Sequence, residues 1–217
     1  MKIFLDTAET DVIRKNFVTG LVDGLTTNPT LIMKSGRNPE EVYEEIKEIG
    51  VPDISMEVVG TGEEMVAEGR RLKKQFGDCC TIKIPCTRGG LAACRVLAEE
   101  GIRVNVTLIF SQAQAILASK AGAAYVSPFV GRVDDNSFGG ICLVKDIVSV
   151  FKEHFVTTQV LAASVRNVRD VGRLFEHGSD IVTMPPGVFD KMYNHVLTDK
   201  GLQLFDADWA AVLSHTK

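Results

Sequence analysis

The stretch "CTIKIPCTRGGLAACRVLAEE", residues 80–100, decides the fold. It opens as a short apolar run, passes a Gly-rich turn, and continues with apolar residues at helical spacing, which is a strand followed by a helix. Side chains alternate along a strand. Thr81 and Lys83 therefore share one face, and Ile82 and Ile84 the other. A lysine is among the last side chains expected inside a fold, so the face that carries Lys83 must be polar for a reason.

The same strand-then-helix unit recurs along the whole chain. "KIFLDT" precedes a helix from about Glu9, and "GLTTNP" one that begins near Pro39, with its proline in the first turn. "DISMEVV" leads into "GEEMVAEGRRLKKQF", and "RVNVTLI" into "SQAQAILASKA". "YVSPFV" leads, after a Gly/Asp/Asn-rich loop, into "GGICLVKDIVSVFKEHF". "TQVLAAS" leads into "NVRDVGRLFEHG", and "DIVTMP" into "PGVFDKMYNH". With "CTIKIP", the count is eight units. Repeated βα units predict a parallel sheet with helices outside. At 217 residues they predict one α/β domain, a closed (β/α)8 TIM barrel over residues 1–217. A doubly wound open sheet is the alternative, weakened because no GxGxxG follows an early strand. A last helix, "GLQLFDADWAAVL", makes residues 199–217 a C-terminal helical tail.

Parity places a polar set on the barrel axis. Strand 1 gives Asp6, opposite Ile3 and Leu5; strand 2 pairs Thr26 with Asn28. Strand 3 pairs Ser55 with Glu57, opposite Ile54, Met56 and Val58. Strand 5 pairs Asn105 with Thr107, opposite Val104, Val106 and Leu108. Strand 6 pairs Ser127 with Phe129, and strand 7 ends with Ser164 and then Arg166 on one parity. Arg132 falls in the loop after strand 6. The polar residues lie toward the C-terminal strand ends, where barrel active sites form.

Composition excludes several classes. A hydrophobic content of 45% supplies a sizeable core, and no run approaches a bilayer span. The first residues have too short an apolar stretch for a secretory signal and meet Asp6 at once, so a soluble cytoplasmic protein with no membrane partner is expected. The five cysteines, with Cys79 and Cys80 adjacent and no CxxC or HExxH, argue for reduced thiols and no metal site. A net charge of -4 without a basic block argues against nucleic acid.

Lys83 could be a structural ion pair with Asp6 or Glu57. One carboxylate would satisfy such a pair, whereas polar tips converge here from six strands. The functional alternative is an amine nucleophile. A free lysine is protonated at neutral pH, but a low-dielectric interior disfavours the ammonium. The amine attacks a ketone, and the protonated imine is an electron sink that lets a C–C bond two atoms away break, without metal or cofactor.

"FLDTAE", "GLTTNPTLI", "ISMEV", "TIKIPCT", "VNVTLIFS", "YVSPFVGRVDD" and "LAASVRN" closely resemble the transaldolases, most of all the short bacterial and archaeal branch beside the fructose-6-phosphate aldolases. The likeness covers essentially the whole chain, one motif per strand. It implies transfer of a dihydroxyacetone unit between sugar phosphates, with Lys83 as the Schiff-base residue. Glu57 resembles the acid/base that works through a water held by Thr107, and Asp6 the carboxylate that takes and returns the hydroxyl proton. Asn28 and Asn105 look like ligands of the dihydroxyacetone hydroxyls, with Ser127 beside them. Ser164, Arg166 and Arg132 resemble a phosphate cradle. The aldolase branch tends to have glutamine and tyrosine where this chain has Glu57 and Phe129, so both positions favour transfer. Two departures stand out: Gly89 where the family often has glutamate, and Val196 where it often has proline. They put local loop and tail conformation in question. Cys86, beside the lysine strand, reads as a small buried residue.

The tail carries Leu202, Leu204, Phe205, Trp209, Val212 and Leu213. A barrel complete at its eighth helix has limited room for that set, so the tail is expected to pack on a neighbouring subunit. The resemblance implies a homo-decamer of two pentamer rings.

Overall fold

The computed structural model describes residues 1–215. Eight parallel strands close in sequence order into a barrel. They are β1 (Lys2–Asp6), β2 (Gly24–Thr26), β3 (Ile54–Glu57), β4 (Cys80–Pro85), β5 (Val104–Ile109), β6 (Tyr125–Pro128), β7 (Gln159–Ala162) and β8 (Ile181–Met184). Register runs evenly through β3, β4 and β5: Glu57 lies beside Lys83, and Lys83 beside Asn105. The helices outside include α1 (Thr10–Phe17), α2 (Pro29–Ser35), α3 (Pro39–Ile49), α4 (Gly62–Phe76), α5 (Arg88–Glu99) and α6 (Gln112–Lys120). They continue as α7 (Val130–Asp135), α8 (Gly140–Glu153), α9 (Val168–Glu176), α10 (Pro186–Lys191) and α11 (Val196–His215). No helix among the described residues is long and apolar enough to cross a membrane.

Two apolar layers follow from the alternation. Leu5, Leu25, Ile54, Met56, Ile82, Ile84, Val104 and Val106 face outward and join the helices in the main core. A smaller cluster of Phe4, Tyr125, Leu161, Ala163 and Ile181 fills the barrel itself. Phe4 needs Gly24 beside it, because a Cβ there would meet the Phe4 ring at 2.6 Å. Beside this plug, Asp53 accepts from the Tyr125 hydroxyl at 2.6 Å and from Thr81 Oγ1 at 2.8 Å. This plug fills the axis below the residues that line the axial cavity, which come from the C-terminal strand ends and the segments after them.

Several local expectations are corrected. A helix, α2, precedes the one at Pro39; Asn28 caps it by accepting from the Leu31 N–H, Pro29 opens it, and Gly36 closes it in the left-handed region. Arg132 lies on α7 rather than in a loop. The tail helix starts at Val196, earlier than residue 199, so the position that departs from proline is its first residue; residues 216–217 of the expected tail lie outside the described residues. Leu108 does not belong to the outward set of β5. It takes φ 59°, the register with β6 shifts between Val106 and Ile109, and Ile109 becomes the core residue instead. A bulge of this kind inserts one residue and bends the strand. Gly89 has its own packing reason: it meets Gly62 where the first turns of α4 and α5 converge.

Candidate active site

Lys83 projects from the middle of β4 and is 5% exposed. Its Nζ donates to Glu57 Oε2 at 2.9 Å and to the Thr27 carbonyl at 2.8 Å. The ion pair exists, as the structural reading of this lysine allows. It does not stand alone, because Lys83 also lines an axial cavity of about 110 Å³ with Asp6, Asn28, Ser127, Phe129, Arg132, Ser164 and Thr183.

Asp6 sits at the tip of β1 and accepts from Thr26 Oγ1 at 2.8 Å. Burial pushes its carboxyl above the usual range, against the lowering effects of the Thr26 hydrogen bond and the Lys83 charge, with the Glu57 charge raising it further. Two carboxylates therefore flank one lysine in different surroundings. Glu57 is in direct contact with the amine, and Asp6 is tied to a hydroxyl. Such a pair can divide proton-transfer work.

Asn105 is fully buried and, although level with Lys83, does not line the cavity. Its Nδ2 donates to Ser55 Oγ at 3.1 Å, and its Oδ1 accepts from Ser127 Oγ at 2.7 Å. It braces Ser127, which does line the cavity. Thr107 Oγ1 is the one buried side-chain polar atom without a protein partner among the described residues. A hydroxyl left in that state asks for a ligand or water.

At the rim, Arg132 lies 4.9 Å above the Phe129 ring, and Phe129 meets Phe110 edge-on at 5.8 Å. Parity does not account for Ser164 and Arg166. β7 ends at Ala162; its inward residue is Leu161, followed by Ala163 just past the strand. Ser164 reaches the cavity because it adopts φ 59°, in the left-handed region that a non-glycine residue rarely occupies. The Ala163 and Ser164 carbonyls accept from the Val130 and Gly131 N–H groups, which pins the first turn of α7 over β7. Gly131 has to be glycine, since a Cβ would collide with the Ser164 carbonyl and the Arg166 side chain. Arg166 is exposed and forms a two-point ion pair with Asp135 at the end of α7. It stands outside the ring of cavity-lining residues. Cys86 is partly buried, and desolvation pushes its thiol up, the opposite of what a nucleophile needs.

Sequence reasoning assigned no role to Thr183 on β8 or to Asp53. Thr183 is 2% exposed and lines the cavity. The usable signal was its inward parity within "DIVTMP".

A (β/α)8 barrel that seats a buried lysine between two carboxylates at its C-terminal mouth has the architecture of an aldolase-type enzyme. Comparison with known proteins narrows the class. The family model described as Transaldolase/Fructose-6-phosphate aldolase matches residues 3–216. A protein of Caulobacter vibrioides (strain NA1000 / CB15N) named "Probable transaldolase" is 51% identical over 212 residues, covering 97% of each chain. One of Nitrosopumilus maritimus (strain SCM1) with the same name is 50% identical over 214 residues, covering 98% of this chain and 96% of its own. The chain belongs to the transaldolase/fructose-6-phosphate aldolase family.

Proposed function

We propose that the protein is a transaldolase. It moves a dihydroxyacetone unit from sedoheptulose 7-phosphate or fructose 6-phosphate to glyceraldehyde 3-phosphate or erythrose 4-phosphate, in the pentose phosphate pathway of the cytoplasm. The observation that carries this reading is Lys83 held 2.9 Å from Glu57 at the foot of a cavity that Asp6 also lines.

Glu57 takes a proton from the Lys83 ammonium, and the free amine adds to the ketose carbonyl. Glu57 then returns a proton to the departing hydroxyl, working through a water that the Thr107 hydroxyl holds. The imine forms with loss of water. Asp6 next takes the proton of the C4 hydroxyl, carried by the far carbon of the C3–C4 bond to be broken. That C–C bond opens, its electrons pass into the iminium, and an aldose phosphate leaves. The enamine on Lys83 adds to the incoming aldehyde, and the steps run in reverse. A cavity of about 110 Å³ has the volume of roughly three or four waters, which suits the three-carbon unit and leaves the phosphate at the rim. Asn28 and Ser127 bind its hydroxyls, with Asn105 holding Ser127.

Incubating the protein with fructose 6-phosphate, with and without erythrose 4-phosphate, tests the reading. Transfer requires the acceptor, and borohydride should trap the ketose on Lys83. Release of free dihydroxyacetone at the same rate without acceptor would establish the aldolase activity instead. Glu57 and Phe129 favour transfer, by the residue choice that separates the two branches.

The phosphate end is predicted to rest on Arg132 and Arg166, with Ser164. Arg132 faces the cavity; Arg166 is held beside it by Asp135 and keeps N–H donors free of that pair. A contact remote from the reacting carbons is felt alike in ground and transition states. Arg166→Ala should therefore raise KM for phosphorylated substrates by roughly ten- to a hundredfold, with a smaller change in kcat. Unphosphorylated fructose should hardly notice. Equal losses on both substrates would instead give Arg166 a purely structural role, through the α7–β7 junction.

Assembly follows from α11. Phe205 is 71% and Trp209 65% exposed, and Leu202, Leu204 and Leu213 are each more than half exposed. A second copy of the chain is the proposed cover, within a decamer of two pentamer rings. Sedimentation should show an oligomer at micromolar concentration, and deletion of residues 199–217 should lower its order. A monomeric full-length chain would refute this.

A further inference from the structure

Thr26 Oγ1 has two partners: it donates to Asp6 Oδ1 at 2.8 Å and lies 2.7 Å from Thr183 Oγ1. A hydroxyl carries a single proton. With that proton on Asp6, the hydrogen bond between the threonines can run only one way, from Thr183 to Thr26. Three strands thus build one directed chain across the inner face of β1, from β8 through β2 to the carboxylate. The register explains how it closes. Asp6 is level with Thr26, and Thr183 is level with Phe4, one inward position lower. Both threonines are 2% exposed and both line the cavity, so their hydroxyls meet each other, Asp6 and the cavity rather than bulk solvent. Both are β-branched residues on strands, with few rotamers to choose from.

We infer that Thr183 is a positioning residue: by donating to Thr26 it holds the Thr26 hydroxyl on Asp6, and so fixes the orientation and proton affinity of that carboxylate. The inference rests on the reading above, in which Asp6 takes the substrate's hydroxyl proton. A carboxylate that accepts an oriented O–H is a weaker base than a bare buried one. It is also held to one rotamer while the substrate hydroxyl approaches. Losing the Thr183 donor frees Thr26 to turn toward the cavity it lines, and burial, which already raises Asp6, is then opposed by less. Asp6 would hold its proton to higher pH and meet the substrate in the protonated, inactive form more often. The charged groups that face Asp6 are Lys83 from β4 and Glu57 from β3, with Arg132 of α7 across the cavity. From β2 the neutral Thr26 donates to it, and Thr183 of β8, also neutral, reaches it through Thr26.

Thr183→Val keeps the shape and removes the hydroxyl; Thr183→Ser keeps the hydroxyl. For the valine variant, C–C cleavage of fructose 6-phosphate should slow about tenfold with KM changed less than about twofold, the effect expected from one lost hydrogen bond behind a charged group. The acidic limb of its kcat profile should move to higher pH. Borohydride trapping of the ketose on Lys83 should proceed at the wild-type rate. The serine variant should cleave within about threefold of wild type, with its acidic limb unmoved. If wild type traps the ketose but the valine variant keeps normal cleavage and a normal acidic limb, the positioning role is overturned. It is overturned equally if serine and valine lose activity alike, or if trapping falls in step with cleavage, since Thr183 would then be supporting the barrel. Failure of wild type itself to trap a ketose removes the Schiff-base reading, and this inference with it.

Discussion

Lys83→Ala is expected to abolish turnover while leaving the barrel folded. No other amine lines the cavity: Arg132 is the remaining cation there, and a guanidinium stays protonated. Activity should therefore drop to the uncatalysed background, a loss of about 10⁶-fold or more if the enzyme sits anywhere in the usual range of rate enhancements. Lys83→Arg should be equally inactive, because it keeps the charge beside Glu57 but cannot lose its proton. Folding is the control. Removing one partner of a buried pair leaves the other unpaired, which costs about 3–5 kcal/mol when both are fully enclosed. The cost here is smaller, because the Glu57 side chain keeps 13% exposure and can reach water. Circular dichroism melts should thus show a cooperative, somewhat less stable barrel. Turnover by either variant at a rate near wild type would end the Schiff-base reading, whatever the melts show.

The part of the architecture carried by uninterrupted alternation was legible. β3, β4 and β5 keep their parity, so Glu57, Lys83 and Asn105 fall side by side on the axis as the sequence predicts. Alternation failed where the backbone leaves the extended region. At Leu108 a bulge moves the core position on to Ile109, and at Ser164 a left-handed residue turns the chain toward the cavity. Nothing in "LAAS" or "VTLI" announces a positive φ. α2 was missed although its signals were present, Asn28 before Pro29 and Gly36 after Ser35. Its seven residues are too few to show a helical period, and "NPT" reads as a turn. α7 had no such signals. It lacks a side-chain cap, and its first N–H groups are satisfied by carbonyls of the chain after β7, a tertiary contact more than thirty residues away in sequence.

The candidate site divides along the same line. Groups that act through their own charge stood out, because a lysine or carboxylate on an inward strand face has to be explained. Groups that act through a neighbour did not. Asn105 was expected among the ligands; it stands level with Lys83 but does not line the cavity, its amide being taken up by Ser55 and Ser127. Thr183 is an ordinary strand threonine until its oxygen is found 2.7 Å from that of Thr26. Arg166 was expected at the phosphate and is found sharing its guanidinium with Asp135, a pairing that depends on how α7 lies over the chain after β7.

Glu57→Gln should separate the two carboxylates by function. Glutamine has the same length and can still accept a hydrogen bond from Lys83 Nζ, so the cavity and the lysine rotamer are preserved. It cannot accept or return a proton, and both formation and hydrolysis of the imine need that transfer. A reduction on the order of 10²–10⁴-fold in the rate of trapping by borohydride is expected, the usual contribution of a placed general acid/base. Asp6→Asn supplies the contrast. Its amide leaves the Lys83–Glu57 pair intact, so trapping should stay near the wild-type rate while, without borohydride, C–C cleavage of the sugar held as the Schiff base fails. The two variants should therefore differ in kind: one slow to acquire the ketose, the other able to acquire it and unable to break it. If the Glu57 variant is trapped as fast as wild type, the proton on the lysine leaves by another route, and Glu57 is only a counter-ion. If Asp6→Asn also slows trapping, the division of labour between the carboxylates is wrong, and the axial cavity works as a single coupled cluster around Lys83.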